Sequence, residues 1–416
     1  MEGYSAAALL KHGFGGHLHW SQAWRSPAPK TRYDAVIVGG GGQGLATAYY
    51  LAKLHGFSNI AVLEKGWIGG GNTGRNTTVI RSNYFQPQSA RFYDFSVSLY
   101  EKLSRELNFN IMFSQRGVLV LAHNRHQMEM NRRTANAMRL NGVDAELIDL
   151  AEVKRLVPAL DCSRQARFPV RGALLHRRGG TARHDAVAWA YARAADSLGV
   201  DIIQNCEVTG FVFDQGKVTG VETTRGKIET SKVGIAVAGH SSVLAERAGF
   251  RLPITSMALQ AMVSEPLKPV LDTVVLSPAT GTYLSQSDKG ELVIGGGLDL
   301  YGSYAQRGNL PVQQSVVAGM LDMFPSFSRV RMLRQWAGIC DVTPDSSPII
   351  GLSPISGLYL NCGWGTGGFK AIPAGGFCFA HTVATGSPHD LNVGYALDRF
   401  SRGALIDEAA GAAIAH

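Results

Sequence analysis

Residues 33–64, YDAVIVGGGGQGLATAYYLAKLHGFSNIAVLE, read as strand, glycine loop, helix and second strand, a βαβ unit. Ala35 to Val38 is a short apolar run closed by glycine, the pattern of a parallel strand buried on both faces. Leu45 to Lys53 then carries helix-forming residues with no breaker. Gly39, Gly41 and Gly44 occupy the three fixed places of G-x-G-x-x-G. The first permits the tight turn, the second lets a pyrophosphate approach the backbone, and the third lets helix and strand pack closely, with the helix N-terminus facing the phosphates. Glu64 ends the second strand 20 residues after Gly44, where a carboxylate receives a ribose hydroxyl. An acid there disfavours a 2′-phosphate, so FAD or NAD is expected rather than NADP.

Glycine turns also join strands to helices without any ligand; here strand, helix, second strand and acid agree. The next stretch favours FAD. KGWIGGGNTGRNTTVIRSNY (residues 65–84) is a second Gly/Asn/Thr loop containing Asn72, Thr73 and Arg75, and flavoproteins run such loops past the ribityl chain and ring.

A chain of 416 residues exceeds one compact core, so two interleaved domains are expected. A charge of +8 and a pI of about 9.2 would suit nucleic acid, but no lysine-rich run or basic helix supports that partner. The basic residues gather at glycine loops, which fits anionic cofactors and acidic substrates. Five cysteines without a C-x-x-C pair point to reduced thiols and a cytoplasmic protein. No apolar stretch approaches the ~20 residues of a membrane helix, and no signal peptide is expected.

Residues 1–31, rich in Trp, His and Gly, read as an arm for subunit contact. His17 and His19 lie two apart, but no third ligand follows at a usable spacing, so no metal is expected. Helices are expected at 89–110, in HQMEMNRRTANAMRLNG (126–142), at 150–157 and after Asp185, the natural N-cap; strands are expected at 117–123, 200–205 and 208–213. Lys232 to Gly239 reads as a central strand, 253–300 as β-rich with a hairpin at Asp288-Lys289-Gly290, and 358–386 as strand, glycine loop and helix. The expected fold is α/β, a Rossmann-like FAD-binding domain (32–84, 155–250, 335–416) interleaved with a β-rich substrate domain (85–154, 251–334).

These landmarks resemble the amino-acid oxidase family of flavoproteins, which includes D-amino-acid oxidase, glycine oxidase and monomeric sarcosine oxidase. Within it, VLEKGWIGGGNTGRNTTVIRSNY, FSQRGVLVLAH, ARHDAVAWAYARAAD, AGHSSVLAE and NCGWGTGGFK resemble the β subunits of heterotetrameric sarcosine oxidases along essentially the whole chain. The resemblance implies oxidative demethylation of sarcosine to glycine with hydrogen peroxide, and 5,10-methylenetetrahydrofolate when tetrahydrofolate is present. It also implies FAD on this chain, FMN at the contact with an α subunit that holds NAD, further γ and δ subunits, and folate chemistry on a partner. Other readings are oxidation of another N-methylated amino acid such as dimethylglycine, or a noncatalytic flavin-binding scaffold.

Hydride loss from an amino acid's methyl group requires its carboxylate to be held while the N–CH3 bond faces the flavin. Arg81 and Lys370 match the carboxylate-binding pair of monomeric sarcosine oxidase. Thr78 replaces a basic residue three places before Arg81 in that relative. Gly338 falls nearest its FAD-linked cysteine, with Cys340 two residues on, so noncovalent FAD is expected. Gly42, Gln43, Val208, Gly365 and Gly368 complete the implied FAD-binding set. His184 matches the histidine joined to FMN, and a neutral imidazole is a suitable nucleophile for the flavin's methyl carbon. Arg177, Arg178 and Arg183 would form a cationic rim for the FMN phosphate.

Overall fold

The computed structural model describes residues 5–18 and 22–408. The βαβ unit forms as its sequence predicts, with strand Ala35–Val38, helix Gly42–His55 and strand Ile60–Leu63. Both strands lie inside a six-stranded sheet in the order Ile349–Leu352, Leu358–Cys362, Val233–Ile235, Ala35–Val38, Ile60–Leu63, Asp201–Ile203. All neighbours are parallel except the first pair. Successive side chains serve two cores: Ala35, Ile37, Ile60 and Val62 meet helix residues such as Leu45 and Phe379, while Val36, Val38, Ala61 and Leu63 meet Val218, Val221 and Ile228 of a three-stranded sheet. Burial on both faces is why the strands read as unbroken apolar runs.

The second sheet has eight strands, ordered Met332–Val342, Thr255–Pro266, Glu291–Gly302, Thr282–Gln286, Val274–Ser277, Val118–Ala122, Gly172–His176, Glu146–Asp149. The hairpin at Asp288-Lys289-Gly290 joins Thr282–Gln286 to Glu291–Gly302. Gly172–His176 pairs with both of its neighbours here, and Met332–Val342 spans residue 335. Boundaries drawn at 155 and 335 therefore cut through this sheet's share of the chain. A short apolar run such as GALLH fits either sheet equally well by its periodicity.

A two-residue pairing of Val79–Ile80 with Gly180–Thr181 ties the flavin-type loop to the start of helix His184–Ser197. Arg183, not Asp185, is that helix's N-cap. Asp185 stands two residues further in and accepts the Ala186 N–H (2.8 Å) and the Arg183 guanidinium (2.8 Å). An acid in the first turn suits the helix dipole as well as a cap does, so the sequence signal shifts by only two positions.

The arm divides in two. Helix Ala6–Phe14 buries no residue, whereas Trp24 packs on the main core and Arg25 and Lys30 pair with Asp201 on the chain's own body. His19 lies outside the described residues. Among the described residues no helix is long and apolar enough to cross a membrane, and no three His, Cys, Asp or Glu side chains are grouped to hold a metal.

Candidate flavin and carboxylate site

The strand ends of the six-stranded sheet and one face of the eight-stranded sheet enclose a cavity of about 530 Å³. Gly39, Gly41, Gly42, Gln43 and Glu64 border one end. Gly44 lies beneath, where a Cβ would stand 2.0 Å from the Gly39 carbonyl oxygen, and Gly39 itself has φ +111°. At Gly41 the situation is different: a Cβ would meet only Thr73 Oγ1, at 3.2 Å, and would point at the cavity. Thr73 Oγ1 accepts the Gly42 N–H at 3.0 Å, so the second loop closes over the first. The Glu64 carboxylate accepts the N–H groups of Gly40 and Gly66, both at 2.8 Å, which leaves lone pairs for ribose hydroxyls. Val208 lines the same end, its carbonyl held by Arg247 at 3.0 Å. Open backbone at a helix N-terminus, followed by a fixed acid, fits a dinucleotide's pyrophosphate and ribose.

The other end is built by three loops that hydrogen bonds lock together. Asn72 Oδ1 accepts the Ile339 N–H (2.9 Å), the Trp336 indole donates to the Arg75 carbonyl (2.7 Å), and the Arg75 guanidinium holds the Gly70 and Gly71 carbonyls. Gln43 donates to the Gly368 carbonyl (2.8 Å) and accepts from Asn361 (3.2 Å), which in turn accepts from the Trp364 indole (2.7 Å). The first helix is thereby joined to the loop that carries Gly365, Gly368 and Lys370. All of these residues but Trp336 line the cavity, whose wall is completed here by Gly338, Cys340 and Tyr283.

Arg81 and Lys370 line this end together and are almost wholly buried, at 6% and 5% exposure. Arg81 donates to Asn83 Oδ1 (2.7 Å), and its guanidinium lies 5.1 Å from the centre of the Tyr84 ring. Lys370 Nζ donates to the Tyr84 hydroxyl (3.4 Å) and the Thr366 carbonyl (3.2 Å). Neither cation is ion-paired to a carboxylate among the described residues. Burial, reinforced by the Arg81 charge, drives the Lys370 pKa well below the ordinary lysine value. Two buried cations that repel each other form a site that a carboxylate would relieve.

Two further ionisable groups border the cavity. Asp341 accepts the Gly363 N–H at 2.5 Å, and burial pushes its carboxyl up to about 7. Burial also pushes the Cys340 thiol up to about 12, so it is protonated and inert rather than a nucleophile toward a flavin.

His184 and Arg183 lie outside the cavity. Burial lowers the His184 pKa, so the imidazole is neutral, and its Nδ1 has no hydrogen-bond partner among the described residues. The cationic rim expected around it is already occupied: Arg177 pairs with Glu146, Arg178 with Asp94 and Glu101, and Arg183 with Asp185. Charge counting along the sequence could not show these partners, since all but Asp185 come from distant segments.

Sequence reasoning missed Tyr84, Tyr283 and Asp341. Tyr84 closes the RSNY stretch and Asp341 follows Cys340, so both adjoin residues already singled out. Tyr283, whose hydroxyl pairs with Thr77 Oγ1 at 3.0 Å, carries no local signal at all.

Comparison with known proteins agrees with this geometry. Residues 34–382 match the family of FAD dependent oxidoreductases. The chain is 55% identical to sarcosine oxidase subunit beta of Rhodobacter capsulatus over 100% of both chains, and 58% identical to that of Rhizobium meliloti over 97% of both. L-proline dehydrogenase from P. horikoshii superposes with a TM-score of 0.85 at 30% identity, covering 91% of this chain and 100% of that one. The chain belongs to the FAD-dependent oxidoreductase family, among its sarcosine oxidase β subunits.

Proposed function

We propose that this chain is the FAD-bearing catalytic β subunit of a heterotetrameric sarcosine oxidase, demethylating sarcosine to glycine with release of hydrogen peroxide. The observation that carries the reading is the pair of buried cations, Arg81 and Lys370, on the wall of a cavity whose opposite end is a dinucleotide cradle. FAD bound there would accept a hydride equivalent from the substrate's methyl carbon. The work left to the protein is orientation. Arg81 and Lys370 hold the carboxylate from two loops, Tyr84 lies between them, and burial excludes water that would weaken the hold. A protonated Cys340 and the absence of a side chain at Gly338 support noncovalent FAD.

The finer parts belong to the same proposal. FMN is assigned to His184 as a covalent group, because the imidazole is neutral and its Nδ1 makes no hydrogen bond among the described residues. Since Arg177, Arg178 and Arg183 already face acids of this chain, the α subunit must supply cations for the FMN phosphate. That subunit would also hold NAD, γ and δ would complete a cytoplasmic complex, and tetrahydrofolate on a partner would take the methyl carbon as 5,10-methylenetetrahydrofolate. The test is anaerobic addition of sarcosine to the assembled complex. Loss of the flavin absorbance supports the proposal; a response to dimethylglycine alone, or to neither amine, refutes it.

A further inference from the structure

Resting on that reading, a second layer of residues stands behind the cationic pair. The loop 82–86 connects Arg81 to helix Pro87–Glu106 and carries Tyr84, the residue that contacts both cations. This helix has no side-chain cap of its own: Gln86 is its N-cap residue and Pro87 has no N–H. The cap comes from the far end of the chain. Glu408, 3% exposed, accepts the Gln86 N–H at 2.9 Å and the Phe85 N–H at 3.4 Å.

The segment that delivers Glu408 is itself anchored. Gln86 Nε2 donates to the Asp407 carbonyl (3.3 Å), Ser347 Oγ donates to the Ile406 carbonyl (2.8 Å), and the Ile406 N–H donates to Asp345 Oδ2 (3.1 Å). Asp345 is locked by a buried ion pair with Arg399 at 2.8 Å. Burial pushes the Glu408 carboxyl up, opposed by the Gln86 and Phe85 N–H groups, Ser89 and the Arg81 charge. A surface helix could be capped by any Ser or Asp at its N-cap. Using a buried carboxylate 322 residues away fixes the loop on both sides.

We propose that Glu408 is a positioning residue for substrate binding: by gripping the backbone of Phe85 and Gln86 it sets the place of Tyr84, and through Tyr84 that of Arg81 and Lys370. The segment 404–408 is then a brace for the carboxylate site rather than a loose end.

The test uses the FAD-loaded complex, with acetate as an inert carboxylate whose binding is read from the flavin spectrum. Glu408→Ala should retain FAD, raise the acetate Kd roughly tenfold, the scale for losing an outer-shell partner, and raise the sarcosine KM more than it lowers kcat. Glu408→Gln, which keeps one acceptor, and Ser347→Ala, which removes only one of the two Ile406 anchors, should shift both in the same direction by less. Wild-type acetate affinity and KM in FAD-loaded Glu408→Ala would show that the brace serves folding alone and overturn the inference. If that variant does not fold, Glu408→Gln and Ser347→Ala decide by the same criterion. A wild-type complex that binds acetate while all three variants match it sinks only this inference; one that neither binds acetate nor is reduced by sarcosine sinks the proposed function.

Discussion

The Lys370 ammonium provides the sharpest test of the carboxylate site, through pH. Burial and the Arg81 charge lower its pKa, so in the free protein it loses its proton well before an ordinary lysine would. A carboxylate bound beside it favours the charged form again. Binding therefore takes up a proton wherever the free lysine is neutral, and by linkage the acetate Kd should rise by about tenfold per pH unit there. Asp341 works in the same direction at lower pH: its carboxyl, raised to about 7, becomes an anion in the same cavity as pH climbs past that value. The acetate Kd should thus climb in two steps, one from Asp341 near neutrality and one from Lys370 short of the ordinary lysine range. Asp341→Asn should remove the first step and Lys370→Arg, which stays charged, the second. Lys370→Ala should abolish the second step and cost about 1.5–3 kcal/mol of carboxylate binding, the worth of a charge-assisted hydrogen bond. That is roughly tenfold to a hundredfold in kcat/KM for sarcosine. The assay is a flavin-absorbance titration with acetate at a series of pH values. A Kd that is flat from about pH 6 to about pH 10, or the same profile in Lys370→Arg, would refute the assignment of this lysine.

Two further outcomes follow from the packing. Gly41→Val should give a folded protein that lacks FAD, since its Cβ meets only a threonine hydroxyl and fills the cradle, whereas Gly44→Ala should lose stability itself because its Cβ collides with the Gly39 carbonyl; thermal melts together with released flavin separate the two, and normal FAD in Gly41→Val would contradict the cradle. His184→Ala should leave FAD reducible by sarcosine but remove covalent flavin from the complex, and peptide mapping that finds flavin mass on a peptide without His184 would end that assignment.

The βαβ unit was legible because three requirements coincide within 32 residues: buried strands, glycines where backbone must approach backbone or phosphate, and an acid at the second strand's end. Each leaves a local mark. The eight-stranded sheet was less legible at its margins, because the pairing of Gly172–His176 with Val118–Ala122 depends on contacts across 50 or so residues that no local pattern reports. The same limit explains the arginines near His184. Their sequence clustering reads as free positive charge, yet Glu146, Asp94 and Glu101 arrive from other elements and neutralise two of the three.

Arg81 and Lys370 show the opposite case. They are separated by most of the chain, and a family resemblance, not their spacing, brought them together. The structure adds why two cations can sit buried there at all. Arg81 is held by Asn83 and by the Tyr84 ring face, and Lys370 by the Tyr84 hydroxyl and the Thr366 carbonyl. The Lys370 backbone is fixed in turn, since its carbonyl accepts from Ser96 and that of Phe369 from Tyr100, both at 2.6 Å and both from helix Pro87–Glu106. One helix therefore positions both cations, Lys370 through its interior and Arg81 through the loop at its N-terminus. A change that tilts this helix should move the two cations together, so paired losses in carboxylate affinity from substitutions at Ser96 and Glu408 would be non-additive. Strict additivity of their free-energy costs in a double-mutant cycle would mean the two cations are positioned independently.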